Sequence, residues 1–427
     1  MRILVLGAGR MGYGAAFDLV HNSPAVEAVT VADFDLAKAE AVASKVGTSR
    51  ISACQIDAAD HGAVVELMHG HDSAISCVNY WYNESLSRAA IETGTNFCDL
   101  GGNNYVVDAQ LAMDDAARAA GINIIPDCGL APGMVSILAM HGAARFERLD
   151  EIHIRVGGLP QDPQPPLDYQ LVFSAEGLIN EYIEVARVIR DGKIAEVPSM
   201  TELESLEFDG FPPLEAFQTS GGTSTLPDTF FGKINELDYK TIRYAGHCER
   251  FKTMIDLGLC SSEPLSVPAA VADGRSVTTK ATKITPRTVF GELLTQHLPA
   301  DGPDYVLVRL EFVGVPKAET RTSVSLSDRV AETQKCPPAS PHGGDTVRFR
   351  YDIVDKQDPT TGLSAMMRTT AFPASIIAQM MASGDVLSRG ATPQEIAINP
   401  EKFVSELERR NITIAKGEFL SKVERSL

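Results

Sequence analysis

Three glycines in the first dozen residues carry the plainest chemistry. Gly7-x-Gly9-x-x-Gly12 closes the apolar run "RILVL" and opens a helical pattern. The first glycine permits a tight turn, the second lets a pyrophosphate approach the backbone, and the third lets helix and strand pack closely. The helix start behind them, with Arg10 and Met11 in the loop, offers unpaired N–H groups to phosphates. Asp33 ends the next apolar run, about 20 residues on, where a carboxylate accepts from the ribose hydroxyls. Glycine spacing alone is a weak signal, but in this context it predicts a nicotinamide dinucleotide site. A 2′-phosphate would meet Asp33, and "DFDLAK" puts no arginine beside it, Lys38 lying a turn away. NAD is therefore expected over NADP. Asp57, closing a third run, is either a contact to the adenine edge or an ordinary loop aspartate.

In an open parallel sheet, ligands bind at the carboxyl ends of the strands. Those ends here read "CVNYWYN", "CDLGGNN" and "DCGLAPG". Cys77, Val78 and Asn79 are expected on the nicotinamide-ribose side. Tyr80, Trp81 and Tyr82 either floor a substrate pocket or pack between domains, and Tyr80 is kept as a candidate catalytic group. Asp99 and Asp127 could stabilise an amine cation or take its proton, or could cap the following helices. Cys128 belongs to the same rim and is a candidate substrate-binding residue. As a nucleophile it is poorly supported, because no base accompanies it and nicotinamide chemistry needs no thiolate. Further on, "LDYKTIRYAGHCERF" crowds Lys240, Arg243, His247, Glu249 and Arg250 where a strand gives way to a helix.

These residues need a scaffold, and the first 130 positions supply one. Short apolar runs alternate with helical patterns at 60–69, 83–93 and 105–120, the signature of βαβ units. After residue 150 the pattern changes. "EIHIRVGGLP", "DYVLVRLEFVGV" and "DTVRFRYDIVD" alternate as antiparallel strands do, and "SAEGLINEYIEVARVIRDG" reads as one helix ending at Gly192. Segment 319–345 reads as an extended loop, "FPASIIAQMMASG" as a late helix, and "NPEKFVSELERR" as another capped by Asn399 with Pro400 in first position.

Composition narrows the function classes. The 427 residues, 44% hydrophobic and 22% charged, describe a globular chain of two or three domains. A net charge of −18 argues against a nucleic-acid surface or an anionic membrane. No apolar run reaches the roughly 18–20 residues of a membrane span, and no cleavable leader is visible, so a cytoplasmic protein is expected. The 7 cysteines form no CxxC pair, so neither a metal site nor a disulfide framework is expected.

"LGAGRMG", "CDLGG" and "DCGLAPGM", together with "SAEGLINEYIEVARVIRDGK", "TSGGTSTLP", "LDYKTIRYAGHCERFKTMIDLGL" and "MMRTTAFPASIIAQM", resemble the saccharopine dehydrogenase family. Within it the chain looks most like the NAD-dependent L-lysine 6-dehydrogenases. Ala245 departs from the family's proline in "RYPGH", and 319–345 is longer than usual. The resemblance implies an α/β fold with a Rossmann-type doubly wound parallel sheet. That domain would be discontinuous, from 1–145 and about 370–427, with an α+β substrate and oligomerisation domain of mixed sheet at 146–369. It implies that "LDYKTIRYAGH" is a strand whose end faces the nicotinamide cleft. Arg243, whose planar fork matches a carboxylate, would then anchor the substrate. Lys240 is the other substrate-binding candidate, but in a strand it points away from Arg243. His247 is a candidate general base or carboxylate partner, against a packing role.

The reaction expected is NAD-dependent oxidation at the C–N bond of a basic amino acid, most of all L-lysine at its ε-carbon. Saccharopine formation or cleavage is the alternative, and a non-catalytic NAD-binding scaffold a second. A homo-oligomer, dimer or higher, is expected, with a small amino acid as the only other partner.

Overall fold

A computed structural model describes residues 1–268, 281–318, 346–416 and 420–421. The expected loop at 319–345 lies outside the described residues. Six strands, β1 (Arg2–Leu6), β2 (Ala28–Asp33), β3 (Ile51–Gln55), β4 (Ser73–Ser76), β5 (Asn96–Asp99) and β6 (Asn123–Ile125), form a parallel sheet with Gly390–Ala391 as its seventh. The order is Gly390–Ala391, β6, β5, β4, β1, β2, β3. Its topological switch point falls between β1 and β4, where the glycine loop emerges. The strands are short apolar runs because both faces are covered, and β1 and β4 are buried almost throughout.

Helix α1 (Arg10–His21) and α2 (Leu36–Val46) follow β1 and β2. The C-terminal part of the chain returns to α1. A Cβ on Gly14 would lie 3.0 Å from the Ala371 side chain, so α1 and helix Ala365–Ala382 meet backbone to backbone. The buried carboxylate of Asp18 accepts from Arg410 Nε at 2.7 Å and from the Ser375 hydroxyl.

The second sheet is mixed. Strands Glu204–Leu206, Leu214–Gln218, Glu236–Tyr244, Phe146–Pro160, Asp304–Pro316 and Val347–Lys356 lie side by side in that order. Glu236–Tyr244 runs parallel to Phe146–Pro160, with Tyr239 beside Ile154, and antiparallel to Leu214–Gln218, with Arg243 beside Glu215. The expectation of a Rossmann-type sheet plus a mixed-sheet domain is met.

Two local expectations are corrected. The helix expected to run to Gly192 covers only Ala175–Ile183, and Ala186–Arg190 is a strand paired with Lys193–Val197. Asp191 and Gly192, at φ 50 and 74°, form the tight hairpin turn between them. "RDGK" is thus a hairpin signal flanked by β-branched Val188 and Ile189, not a helix terminus. The helix expected at 105–120 is two, Asn104–Leu111 and Asp114–Ala120, broken at Met113.

Candidate active site

The glycine loop has the geometry its spacing predicts. Gly7 has φ 101°, and a Cβ there would lie 2.7 Å from the Cys77 carbonyl oxygen. A Cβ on Gly12 would lie 1.8 Å from the Gly7 carbonyl oxygen, whereas one on Gly9 would meet nothing within 4 Å. Gly7 and Gly12 therefore serve the turn and the packing, and Gly9 leaves an open approach to the start of α1. Met11 follows in the first turn of α1, half-buried against the core. Asp33 spans the loop, its Oδ2 accepting from the Ala8 amide at 2.7 Å and its Oδ1 from Asp35 at 2.9 Å. Arg10 points out of the loop to the second domain, Nη1 donating to the Ala300 carbonyl at 2.7 Å and the Leu171 carbonyl at 3.3 Å. A cavity of about 390 Å³ opens beside this loop, lined by Gly9, Arg10, Tyr13, Lys38, Lys45 and Ser364 among others. Asp57 is exposed and accepts from the Ala59 amide at 2.9 Å, a loop-turning contact.

The strand ends next to the loop carry the other candidates. Cys77 and Val78 are half-buried beside Gly7, and Asn79 is exposed. Burial drives the Cys77 and Cys128 thiols well above the ordinary range, so neither is a ready thiolate. The Tyr80 ring packs edge-on to Trp81 and would lie 2.9 Å from a Cβ on Gly102. Asp99 is wholly buried and organises backbone: Oδ1 accepts from Gly101 at 2.8 Å and Asp127 at 3.2 Å, and Oδ2 accepts from Gln110 Nε2 at 2.7 Å. Asp127 differs. It sits at φ 60°, 2% exposed, with one carboxylate oxygen lacking any partner and the other accepting from the Ser224 hydroxyl. Burial, with the nearby Asp99 and Glu395 carboxylates adding, pushes it up to about 8 against the pull of Ser224. A Cβ on Gly101 would lie 2.2 Å from Asp127 Oδ1, so only glycine fits there.

Ser224 belongs to the second domain and is itself left-handed at φ 42°. Its loop, "TSGGTST", follows strand Leu214–Gln218. Thr219 shares a hydrogen bond of 2.7 Å with Thr241, the Ser220 amide donates to the Glu181 carbonyl at 3.0 Å, and Gly222 packs against the Tyr239 ring. Thr225 and Thr229 then both donate to Glu395, at 2.8 and 2.7 Å. One seven-residue loop thus connects the face of strand Glu236–Tyr244 to Asp127.

That face carries Tyr239, Thr241 and Arg243, all buried. Arg243 Nε donates to the Tyr182 hydroxyl at 2.8 Å, Nη1 donates to the Ile242 carbonyl at 2.9 Å, and the guanidinium lies 4.8 Å from the Tyr169 ring centre. No carboxylate forms an ion pair with it among the described residues. Lys240 is on the opposite face, donating to Glu204 at 2.7 Å within a network that includes Arg155, Asp238 and His153. The two cations therefore cannot share a ligand. His247 is 1% exposed with both ring nitrogens engaged, Nδ1 with the Leu167 carbonyl at 2.9 Å and Nε2 with the Tyr182 hydroxyl at 3.1 Å. A carbonyl only accepts, so Nδ1 carries the proton and Nε2 accepts from Tyr182, which in turn accepts from Arg243. Burial and the Arg243 charge push His247 down to about 3. The arrangement is a rigid relay that orients Arg243.

Family models match almost the whole chain: one for the saccharopine dehydrogenase NADP binding domain over 3–125, and one for the saccharopine dehydrogenase C-terminal domain over 129–412. The chain belongs to the saccharopine dehydrogenase family. It is 26% identical, over 61% of its own length and 59% of the relative's, to the NADP-dependent, L-glutamate-forming saccharopine dehydrogenase of Saccharomyces cerevisiae. It is 24% identical to the mitochondrial alpha-aminoadipic semialdehyde synthase of Bos taurus, over 76% of this chain and 38% of that one. The chain thus spans about six tenths of the first of these relatives and well under half of the second. The solved apo saccharopine dehydrogenase of S. cerevisiae superposes with a TM-score of 0.73 at 20% identity, over 98% of this chain and 100% of that one.

Asp127 and Arg243 were candidates on sequence, but their partners were not. Ser224 lies 97 residues from Asp127, and Tyr182 lies 61 residues from Arg243. The signal available was that "TSGGTSTLP" and "SAEGLINEY" are rich in small and polar residues that a core does not need.

Proposed function

We propose that this protein is an NAD-dependent dehydrogenase that oxidises L-lysine at its ε-carbon, giving the 6-semialdehyde after hydrolysis of the imine. The observation that carries the reading is the "TSGGTST" loop, which ties the strand face that carries Arg243 to Asp127. Arg243 is a buried guanidinium that forms no ion pair among the described residues, although the Glu181 carboxylate acts on it electrostatically, and a ligand carboxylate would give it a direct partner. At the other end of the "TSGGTST" loop, Asp127 is a buried carboxyl poised near 8. Such a group suits accepting a proton from an amine that must be neutral to become an imine. In this reading Arg243 grips the α-carboxylate, Asp127 receives the proton from the ε-ammonium, and Ser224 holds Asp127 in place. Tyr182 and His247 keep the Arg243 fork aimed.

When bound, NAD would supply the hydride acceptor, and water would hydrolyse the imine with release of ammonia. The start of α1 and the open approach at Gly9 fit its pyrophosphate, and Asp33 fits the adenosine ribose diol. Two features favour NADP instead: the description of the matching family model, and Lys38 and Lys45 in the adjoining cavity. Asp33 is the stronger argument, because a carboxylate at the end of the second strand would accept from a ribose hydroxyl and would repel a 2′-phosphate. Saccharopine is the second substrate reading, favoured by the printed names of the relatives. Against it, Lys240 and Arg155 are consumed in ion pairs on the far face of the sheet, and saccharopine brings more carboxylates than Arg243 alone can hold.

The test is NADH formation, read at alkaline pH, with L-lysine, saccharopine, cadaverine and 6-aminohexanoate. Turnover of L-lysine well above the others is expected. Turnover of saccharopine with none of lysine would replace this reading by the second.

A further inference from the structure

Asp127 and Glu395 rise from neighbouring strands of the parallel sheet. Asp127 follows β6 after Pro126, and strand Gly390–Ala391, which pairs with β6, runs on into the short helix that carries Glu395. Consecutive residues of one second-domain loop take up the two carboxyls. Ser224 donates to Asp127, while the Thr225 and Thr229 hydroxyls donate to Glu395 Oε1 at 2.8 and 2.7 Å. Glu395 is 2% exposed, and its Oε2 has no hydrogen-bond partner among the described residues. Burying a carboxyl with one oxygen unsatisfied is costly, and the two threonine bonds offset that cost only in part. The loop departs from local preference as well. Ser224 is left-handed at φ 42°, uncommon for a residue with a side chain. Thr225 is the N-cap of helix Leu226–Phe230, yet its side chain makes no capping bond and donates to Glu395 instead. Two successive residues are thus held from outside their own segment.

We propose that Glu395 is a positioning residue: by holding Thr225 and Thr229 it fixes the backbone at Ser224 and keeps the Ser224 hydroxyl on Asp127. One carboxyl oxygen has two lone pairs, so it accepts from both threonines at once. The clamp crosses from the C-terminal part of the parallel-sheet domain to the second domain, and it sets where the Asp127 carboxyl stands relative to the substrate. The inference rests on the reading that Asp127 takes the substrate proton, since only then does its placement govern turnover. Glu395 acts through the loop alone. Loss of the clamp therefore slows the chemical step, which is sensitive to small misplacements, and spares the binding of cofactor and substrate.

Three measurements on the full chain test this: initial rates with NAD and L-lysine, NADH fluorescence titration, and hydrogen–deuterium exchange of residues 219–230. Glu395→Ala is expected to lower kcat by roughly tenfold or more, with KM and NADH affinity within about twofold of the parent's, and to speed exchange in 219–230. Glu395→Gln keeps an acceptor oxygen for both threonines and should recover most of the lost kcat and the slow exchange. Thr225→Val should also lower kcat, and adding it to Glu395→Ala should cost nothing further, because both changes break one link. Thermal melting checks that each variant folds. If Glu395→Ala does not, Thr225→Val and Thr229→Val, which keep the side-chain volume, carry the same comparison. Parent-like kcat in Glu395→Ala, a glutamine variant as slow as the alanine one, or losses that add overturns the proposal. If the parent oxidises no lysine, faster exchange in Glu395→Ala that Glu395→Gln restores keeps the clamp and defeats only the proposed reaction. Lysine oxidation with kcat and exchange unchanged in Glu395→Ala does the reverse.

Discussion

In the proposed reaction, the buried carboxyl of Asp127 would favour the chemistry at a cost in stability. Its folded-state value is raised to about 8, so the native state holds a proton there that the unfolded chain has released from about 4 upwards. The stability this contributes is present at low pH and is lost as pH rises to about 8. Asp127→Asn should therefore melt higher than the parent above that pH, while turnover falls by roughly 10²–10⁴-fold. The parent's turnover should climb as pH passes through about 8, and the variant should lose that limb. A variant with full activity would remove Asp127 from the mechanism. His247 has the opposite sign. Its value is depressed to about 3, so its contribution is complete above about 6.5 and is lost as acid protonates the unfolded chain first. Thermal melts should drop between pH 6.5 and 3, and less steeply in His247→Asn. Arg243→Lys keeps the charge but loses the fork aimed by Tyr182, and should raise KM by an amount set by roughly 1.5–3 kcal/mol. Unchanged kinetics would place the anchor elsewhere.

At the scale of elements, the deciding piece is the "TSGGTST" loop. A Cβ on Gly222 would lie 2.4 Å from the Tyr239 ring, so Gly222→Ala must shift either the ring or the loop that carries Ser224. Turnover should fall at least tenfold with NADH affinity unchanged, a split that titration of NADH fluorescence against initial rates would reveal. What was legible in the sequence follows the reach of local rules. The βαβ periodicity, the glycine turn and the Asn399 cap depend on neighbours a few residues away, and they appear where the pattern puts them. Strand Ala186–Arg190 was not legible as a strand because "EYIEVARVIR" also satisfies a helical period. Only pairing across the Asp191–Gly192 turn settles it. The opposition of Lys240 and Arg243 was legible from strand alternation alone. The bond between Ser224 and Asp127, 97 residues apart, was not, because nothing in either segment encodes the approach of the other.

The whole molecule is two sheets joined through one shared core, with helices Met134–Ala143 and Ala365–Ala382 contributing to it. Arg10 leaves the glycine loop to donate to the carbonyls of Leu171 and Ala300, a direct link between that loop and the second domain. Cofactor preference is read at the same junction. The parent should bind NAD far more tightly than NADP, and Asp33→Ser with Phe34→Arg should narrow the gap. Equal affinity of the parent for both would refute the role given to Asp33. The central claim, however, concerns which carbon of the substrate meets the nicotinamide. Incubating the protein with NAD and L-lysine carrying deuterium only at the ε-carbon, then examining the NADH by mass spectrometry, tests it most directly. The account predicts deuterated NADH formed with a slowed rate. Protium-only NADH at an undiminished rate would mean that hydride leaves the α-carbon, contradicting a cleft in which Arg243 holds the α end and Asp127 serves the ε-amine.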